Sequence, residues 1–471
     1  LDQFIDMKIE QIYTGCLSQG AYYVESEGEV AIIDPLRETD TYLSKVKKKK
    51  SKIKYIFETH FHADFLSGHQ DLANKSGADI VFGPGADTDY NIIMARDHQI
   101  FHLGKITLQV LHTPGHTLES TCYLLRDEKG KAHSLFTGDT LFIGDVGRPD
   151  LALKTSFSKE DLAGMLYESL QNKIMPLSDD IIIYPAHGAG SACGRNMSDE
   201  TQDLLGNQKR TNYALRADIT KAEFIKEVTE GILPPPQYFA KNALLNKSGI
   251  KSIDEVLKQG MVALDIDHFE SFIENENVLV LDTREPEDFA LGHIPNAIFI
   301  GITGSFAPWA GTLIKDLNQP IIFIASKGME KEVVIRLSRV GYDNTLGYLE
   351  GGFQTWAAAG KNVETITSIS AKNFSKQYAK RSLSIVDVRK PVEFEAEQIN
   401  GAQNIPLDFI NDHLELLDKQ TEYHIHCLGG YRSMIFNSIL KSRGYHQLID
   451  IKGGIRSIKE TGVPTILTQI S

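Results

Sequence analysis

Cysteine is scarce in this sequence, with four residues among 471. They are widely spaced, at Cys16, Cys122, Cys193 and Cys427, and do not form the closely spaced framework of a disulfide-stabilised secreted domain. A reducing, cytoplasmic setting is therefore expected. Residues 1–6 show no basic segment followed by an apolar core, so no signal peptide is expected either.

Long apolar runs and an excess of positive charge are also missing. No stretch reaches the roughly 18 uninterrupted apolar residues that a membrane-spanning helix needs. Lys and Arg number 49 against 62 Asp and Glu, which gives a formal net charge of −13. Because nucleic acids and anionic membranes attract basic proteins, neither is expected as a partner. The length and the 42% hydrophobic content instead predict a globular chain of about three domains.

Consecutive prolines mark the main break in the chain. Pro234, Pro235 and Pro236 forbid continuation of a helix or a sheet and predict a linker. Before the linker, short apolar segments alternate with helical segments. This pattern predicts a first domain over residues 1–250.

The remainder of the chain contains an internal repeat. Residues 278–289 match residues 383–394, and both segments carry an Asp-x-Arg motif at the end of an apolar run. Later, Gly351-Gly352 recurs as Gly453-Gly454. Strands alternate with helices in each copy, so we predict two small α/β domains, over residues 255–365 and 366–471.

Histidines and aspartates recur in the first domain where predicted strands end. Imidazole nitrogens and carboxylates collected at one point are typical of a metal site. His60, His116 and Asp139 supply two imidazoles and one carboxylate, the facial set with open positions that holds mononuclear non-haem Fe(II). Buried structural histidines are the alternative, which the co-occurrence of several such segments disfavours. The residues concerned are His60, His62, Asp64, His116, Asp139 and His187.

These segments, in this order, resemble the metallo-β-lactamase fold family, an αββα sandwich. Family members with two metals place a further His directly after the Asp, where this chain has Phe65. The resemblance therefore implies one Fe(II) per chain, with Zn possible in recombinant protein, and His60, His116 and Asp139 as its ligands. The remaining residues, His62, Asp64 and His187, are then expected to orient the ligands and water by hydrogen bonds.

Within the family the resemblance is to persulfide dioxygenases, and it rests on residues 59–64, 144–150 and 186–194. It implies oxidation of a thiol persulfide of glutathione, coenzyme A or another carrier by O2, with sulfite as the product. Arg148 is predicted to bind an anionic substrate group, with a structural salt bridge as the alternative. Cys193 is expected to be an exposed loop residue without an assigned role.

A second reactive centre is predicted in the last domain. Cys427 ends an apolar strand and precedes a helix, whose N-terminal N–H groups stabilise a thiolate or a bound anion. Arg432 offers a planar donor fork suited to the oxygens of sulfite or thiosulfate. The four residues between the Cys and the Arg resemble the rhodanese loop, whereas tyrosine phosphatases have five. We predict Cys427 and Arg432 as catalytic and the intervening residues as substrate-binding, namely Leu428, Gly429, Gly430 and Tyr431.

The middle domain resembles a degenerate rhodanese. Alignment of the strand at residues 321–325 with the strand before Cys427 places Ser326 at the cysteine position, and no Arg follows in the loop. A serine hydroxyl without an adjacent base does not carry a persulfide. This domain is expected to be an inactive spacer or docking module.

The whole chain resembles fusions of a persulfide dioxygenase with two rhodanese domains. The resemblance implies that the first domain makes sulfite and that Cys427, loaded as a persulfide, transfers sulfur to it and releases thiosulfate, which would detoxify sulfide. A homo-oligomer is expected. Two alternatives stay open: a zinc thioester hydrolase of the glyoxalase II kind fused to a sulfurtransferase, and a non-enzymatic sulfur-relay scaffold.

Overall fold

The computed structural model describes residues 7–151, 156–275 and 277–467, which form two compact units. One unit contains the described residues up to 254 together with 337–341, and the other contains 255–336 together with 342 onward. Residues 1–6, where no signal peptide is expected, lie outside the described residues. Among the helices of the described residues, none is long and apolar enough to cross a membrane.

The first unit contains two six-stranded sheets, with strand orders β1-β2-β3-β4-β5-β6 and β12-β11-β10-β9-β8-β7. The strands are β1 (Lys8–Thr14), β2 (Gln19–Ser26), β3 (Glu29–Ile33), β4 (Lys52–Phe57), β5 (Asp79–Phe82), β6 (Ile93–Met94), β7 (Ile100–Leu103), β8 (Ile106–His112), β9 (Thr121–Arg126), β10 (Ala132–Gly138), β11 (Ile182–Pro185) and β12 (Asp203–Leu204). The α-helices are α1 (Asp40–Lys49), α2 (His69–Ser76), α3 (Lys159–Ser169), α4 (Leu205–Thr211), α5 (Lys221–Thr229) and α6 (Phe239–Ser248).

Successive side chains of the strands point to opposite faces of each sheet. Helices cover the outer faces, so this unit has four layers. In β2, Tyr22 and Val24 pack between the two sheets, in one core with Leu108 and Phe136 of the facing sheet. Their neighbours Ala21 and Tyr23 point to the opposite face, where they pack with residues of α1 and α2. Residues of α3 and α5 cover the outer face of the second sheet in a third core. The predicted αββα sandwich is thereby confirmed.

Strand ends bring the predicted site segments to one edge of the sandwich. β4 ends three residues before His60, β8 four residues before His116, β10 directly before Asp139 and β11 two residues before His187. Gly138 is required between β10 and this edge, because its φ is +51° and a Cβ would lie 2.6 Å from the side chain of Thr59.

The second unit contains two five-stranded parallel sheets of identical topology, β13-β17-β16-β14-β15 and β18-β23-β22-β19-β21, and a separate β20-β24 pair. The strands are β13 (Ala263–Leu264), β14 (Leu279–Asp282), β15 (Ile298–Phe299), β16 (Ile321–Ile324), β17 (Thr345–Leu349), β18 (Thr367–Ser370), β19 (Ser384–Asp387), β20 (Glu397–Ile399), β21 (Ala402–Asn404), β22 (Tyr423–His426), β23 (Leu448–Lys452) and β24 (Thr465–Leu467). The α-helices are α7 (Ile253–Gly260), which begins in the first unit, α8 (Ile266–Ile273), α9 (Pro286–Leu291), α10 (Phe306–Leu313), α11 (Glu330–Arg339), whose end belongs to the first unit, α12 (Gly352–Ala358), α13 (Ala371–Tyr378), α14 (Pro391–Ala396), α15 (Tyr431–Ser442) and α16 (Gly454–Lys459).

Strand register corrects the predicted equivalence of Ser326 and Cys427. Asp282 of β14 pairs with Ile324 of β16, just as Asp387 of β19 pairs with His426 of β22. The residue after each strand end is therefore Ala325 in the first repeat and Cys427 in the second. The prediction that Ser326 occupies the cysteine position is wrong by one residue, and the equivalent side chain is a methyl group.

Candidate functional site

His60, His116 and Asp139 converge at one buried point in the first unit. Oδ2 of Asp139 lies 3.4 Å from Nε2 of His116 and 3.9 Å from Nε2 of His60. One potential ligand atom from each residue lies within 4.8 Å of the other two. The structure thus brings together the three side chains that the sequence analysis selected.

The surroundings leave the inward-facing atoms of this cluster available to a cation. Nδ1 of His60 lies 3.0 Å from the hydroxyl of Thr59, and Nδ1 of His116 lies 2.8 Å from the carbonyl oxygen of Arg148, to which it donates. Oδ2 of Asp139 is buried and has no hydrogen-bond partner among the described residues. Two imidazole nitrogens and a carboxylate oxygen aimed at one point fit Fe(II) or Zn(II).

Protonation states at the cluster agree with this fit. Burial lowers the pKa of His60 well below its usual value, and the neighbouring imidazole of His62 acts in the same direction. Burial alone would raise the pKa of Asp139, but the imidazoles around it, His187 first, lower it. A neutral imidazole and an ionised carboxylate are the forms that ligate a metal.

His187 connects Asp139 to Asp64. Its Nδ1 lies 2.7 Å from Oδ1 of Asp139, and its Nε2 lies 2.8 Å from Oδ2 of Asp64. Burial opposes a charge on this ring, but the two carboxylates raise its pKa well above the usual value. This is the arrangement that the predicted orienting role of Asp64 and His187 requires.

His62 takes part in a different buried group. Its Nε2 lies 3.0 Å from Asp34 and 3.5 Å from Glu58, and its ring centroid lies 4.2 Å from that of His60. Asp34 in turn accepts hydrogen bonds from the N–H and the hydroxyl of Thr59. His62 therefore adjoins His60 by ring packing, and its predicted hydrogen-bonding role stays a prediction.

Cys193 contradicts the expectation of an exposed loop cysteine. The residue is 1% exposed, and its backbone carbonyl accepts a hydrogen bond from the N–H of Arg148. Burial first, and then Asp139 and Asp64, raise the pKa of its thiol well above the usual value. The thiol lies within 4.8 Å of potential ligand atoms of Asp64 and His187. A Gly- and Ser-rich loop carries no periodic signal from which this position could have been predicted.

Arg148 forms the structural salt bridge that was the alternative to substrate binding. Its guanidinium makes two bonds to Asp150, of 2.7 and 2.8 Å, and also donates to the carbonyl oxygens of Leu233 and Ala192. All three guanidinium nitrogens are engaged. Substrate binding by Arg148 stays a prediction that this geometry does not favour.

In the second unit, Cys427 lies at the centre of the predicted loop. Its thiol is 1% exposed and accepts a 3.1 Å hydrogen bond from the N–H of Gly430, directly before α15. Arg432, expected to receive substrate anions, is bound to both carboxylate oxygens of Glu393 at 2.6 and 2.8 Å. An anion at this loop must therefore compete with Glu393 for the guanidinium.

A cavity of about 340 Å³ adjoins the loop. Of the residues predicted to bind substrate, Gly429, Gly430 and Tyr431 line it, whereas Leu428 packs against the apolar core of its own domain. The hydroxyl of Tyr431 donates a 2.6 Å hydrogen bond to the carbonyl oxygen of Gly301, in the first repeat. Sequence reasoning did not detect this contribution of the Cys-free repeat, which also lines the cavity with Glu285, Glu287, Thr303 and Gly304.

Family models match three regions of the chain. The metallo-beta-lactamase superfamily matches residues 14–187, and the rhodanese-like domain matches residues 265–359 and again 370–461.

Curated relatives match part of the chain. Probable hydroxyacylglutathione hydrolase glo2 of Schizosaccharomyces pombe is 33% identical over 161 residues, which are 33% of this chain and 58% of the relative. The chain thus spans less than two thirds of that protein. The mitochondrial persulfide dioxygenase ETHE1 of Homo sapiens is 31% identical over 216 residues, which are 44% of this chain and 74% of the relative.

A solved structure matches beyond the first unit. The metallo-beta-lactamase from Staphylococcus aureus subsp. aureus COL is 32% identical and superimposes with a TM-score of 0.64. The match covers 73% of this chain and 98% of that one.

Proposed function

Because this chain belongs to the metallo-beta-lactamase superfamily and carries two rhodanese-like domains, we propose that it oxidises a thiol persulfide with O2 to sulfite and transfers sulfane sulfur through Cys427 to give thiosulfate. The observation that carries the proposal is the pairing of two centres in one chain. One is a buried two-His, one-Asp cluster beside an apolar residue at the second-metal position, and the other is a cysteine at a helix N-terminus.

In the first centre, His60, His116 and Asp139 would hold one Fe(II), which supplies the chemistry for combining O2 with the persulfide sulfur. Asp139 contributes the negative charge, and His187 fixes its carboxylate by the 2.7 Å bond to Oδ1. Phe65 is fully buried, with its ring centroid 4.3 Å from that of His62, and closes the adjacent position with an apolar wall.

In the second centre, the Cys427 thiolate attacks the outer sulfur of a persulfide R–S–SH. The sulfur–sulfur bond breaks, the R–S⁻ group leaves and takes up a proton, and Cys427 carries the outer sulfur as Cys–S–SH. Sulfite then attacks that outer sulfur, so that thiosulfate forms and the Cys427 thiolate is regenerated. The N–H of Gly430, at 3.1 Å from the sulfur, and the N-terminus of α15 stabilise the thiolate at each stage.

Product analysis of a cysteine variant tests the division between the centres. Cys427→Ser, given excess glutathione persulfide and O2, should consume O2 at the parental rate and release sulfite in place of thiosulfate. Ser326→Ala, in the corresponding loop of the first repeat, is the control and should change neither product, because that repeat has no cysteine. Thiosulfate from the Cys427 variant at the parental rate, after correction for the spontaneous reaction of sulfite with persulfide, would refute the proposal.

A second candidate is zinc-dependent thioester hydrolysis, which the match to the hydroxyacylglutathione hydrolase favours. The same three ligands fit Zn(II), so the two candidates differ in metal and substrate. Protein from iron-replete cells should contain iron and consume O2 with persulfide while leaving S-lactoylglutathione intact. Zinc content with thioester cleavage and no O2 consumption would establish the hydrolase instead.

A further inference from the structure

Behind Cys427 lies a buried hydroxyl followed by a buried carboxylate. The thiol lies 3.8 Å from the hydroxyl oxygen of Ser433, and that hydroxyl lies 2.7 Å from Oδ1 of Asp450. Ser433 is fully buried and Asp450 is 3% exposed. The three residues come from the loop after β22, from α15 and from β23, so the fold of this domain assembles them.

From this geometry we propose that Asp450 is a positioning residue that receives and returns the proton of the Cys427 thiol through Ser433. The inference rests on the proposed role of Cys427 as the nucleophile. In the forward direction the S–H bond of Cys427 breaks and its proton passes to Ser433 Oγ. The hydroxyl proton of Ser433 passes at the same time to Oδ1 of Asp450, which leaves a thiolate and a neutral carboxylic acid.

The hydrogen bonds permit two arrangements of this chain. When Asp450 is ionised it accepts the O–H of Ser433, and the Ser433 oxygen then accepts from the thiol. When Asp450 is protonated its own O–H donates to Ser433, whose hydroxyl is released to donate to the thiolate. The carbonyl of Gly430, 3.0 Å from the Ser433 oxygen, is the competing acceptor. Protonation of Asp450 therefore favours the thiolate.

The environment of Asp450 supports proton uptake near neutrality. Burial raises the pKa of Asp450 to about 6, and Glu287 of α9 acts in the same direction. The hydroxyls of Ser433 and Ser368, the latter 3.2 Å from Oδ2, and the charge of Lys452 act against it. Arg432 is the cation that interacts with Cys427 itself, and it is paired with Glu393. A carboxyl that titrates near neutrality is suited to exchange a proton with a thiol at working pH.

Thiolate absorbance as a function of pH tests the proposed proton relay from Cys427 through Ser433 to Asp450 without any sulfur substrate. The difference spectrum between the parent and Cys427→Ser should rise in two steps, because the first proton to leave the chain is shared between Asp450 and Cys427 and the second leaves at higher pH. The lower step is expected near pH 6. Asp450→Asn should lose the lower step. Ser433→Ala should also lose it although Asp450 is retained, whereas Ser433→Thr, which keeps the hydroxyl, should preserve it.

Controls separate the relay from a structural effect. Ser442→Ala removes a hydroxyl of the same helix that donates to the carbonyl of Ile439, and it should leave both steps intact. Should Asp450→Asn fail to fold by circular dichroism, the comparison of Ser433→Ala with Ser433→Thr decides the question alone. A single step in the parent, or a lower step that persists in Ser433→Ala, would overturn the relay. The absorbance measurements do not depend on O2 uptake or thiosulfate release. A failure of the proposed function would therefore be detected separately, by the assays of O2 and thiosulfate.

Discussion

Substitution of Gly304 by Ala should disturb the catalytic loop of the neighbouring domain. An added Cβ would stand 2.4 Å from Cε2 and Cζ of Tyr431, whereas carbon atoms normally approach to about 3.5–4.0 Å. The ring must retreat by about 1 Å, and its 2.6 Å hydrogen bond to Gly301 would then exceed hydrogen-bonding distance. Overpacking of about 1–3 kcal/mol and a lost bond of about 1 kcal/mol give a destabilisation of about 2–4 kcal/mol.

Calorimetry and sulfur-transfer assays measure the two consequences of Gly304→Ala. For a unit of this size the melting temperature should fall by roughly 5–15 °C. A displacement of about 1 Å beside the reacting thiol should slow sulfur transfer by about 10- to 100-fold. Ser271→Ala, a change at an exposed residue of the same unit whose hydroxyl donates to the carbonyl of His268, is the control. Gly304→Ala should cost little in a Tyr431→Ala background, and additive effects of the two changes would refute the reasoning.

Three further changes test the metal centre and the buried charges. Phe65→His should raise the metal content from one ion per chain to two by restoring an imidazole at the second position, and elemental analysis that still finds one ion would contradict this. Burial lowers the pKa of His293 to about 4, so the unfolded chain binds a proton that the folded chain does not between about pH 6.5 and 4. The free energy of unfolding should therefore decrease by up to about 3 kcal/mol as the pH falls across that window. In urea unfolding, His293→Gln should be less stable than the parent at neutral pH, and this difference should shrink toward pH 4. Arg389→Met leaves the carboxylate of Asp387 buried without its cation and should cost about 3–5 kcal/mol in urea unfolding, whereas Asp387→Asn in the same chain should recover part of that loss.

The sequence was sufficient for features that are local or repeated. His60 could be selected because the His-x-His-x-Asp spacing directly follows an apolar strand, and strand ends meet at one edge of a sandwich. The duplicated Asp-x-Arg motif predicted two similar domains, and both motifs form the same buried ion pair, Asp282–Arg284 and Asp387–Arg389. Spacing and repetition are properties of the chain itself, so they are visible without a structure.

Features that depend on contacts between residues distant in the chain could not be predicted from the sequence. Ser326 was assigned to the cysteine position because residues 321–325 were aligned with the strand before Cys427, whereas the pairing of β14 with β16 places Ala325 there. The carboxylate partner of Arg432 lies 39 residues away in α14, and no sequence period connects the two. Cys193 is likewise buried in a loop whose backbone is hydrogen-bonded to Arg148 of another loop, and no sequence period connects those two residues.

The groups around Phe65 bear on the number of metal ions that the dioxygenase proposal requires. His187 has both ring nitrogens occupied, by Asp139 and by Asp64, so it offers no free ligand atom while these bonds persist. Phe65 cannot ligate a metal. The remaining groups are the unpartnered Oδ1 of Asp64 and the thiol of Cys193, whose raised pKa keeps it protonated. We expect a metal ion to bind first at the three converging atoms of the other cluster, because filling the second position would break two buried hydrogen bonds and deprotonate a buried thiol. The dioxygenase proposal depends on this single ion, and elemental analysis of the parent chain tests it, since two ions per chain would contradict it.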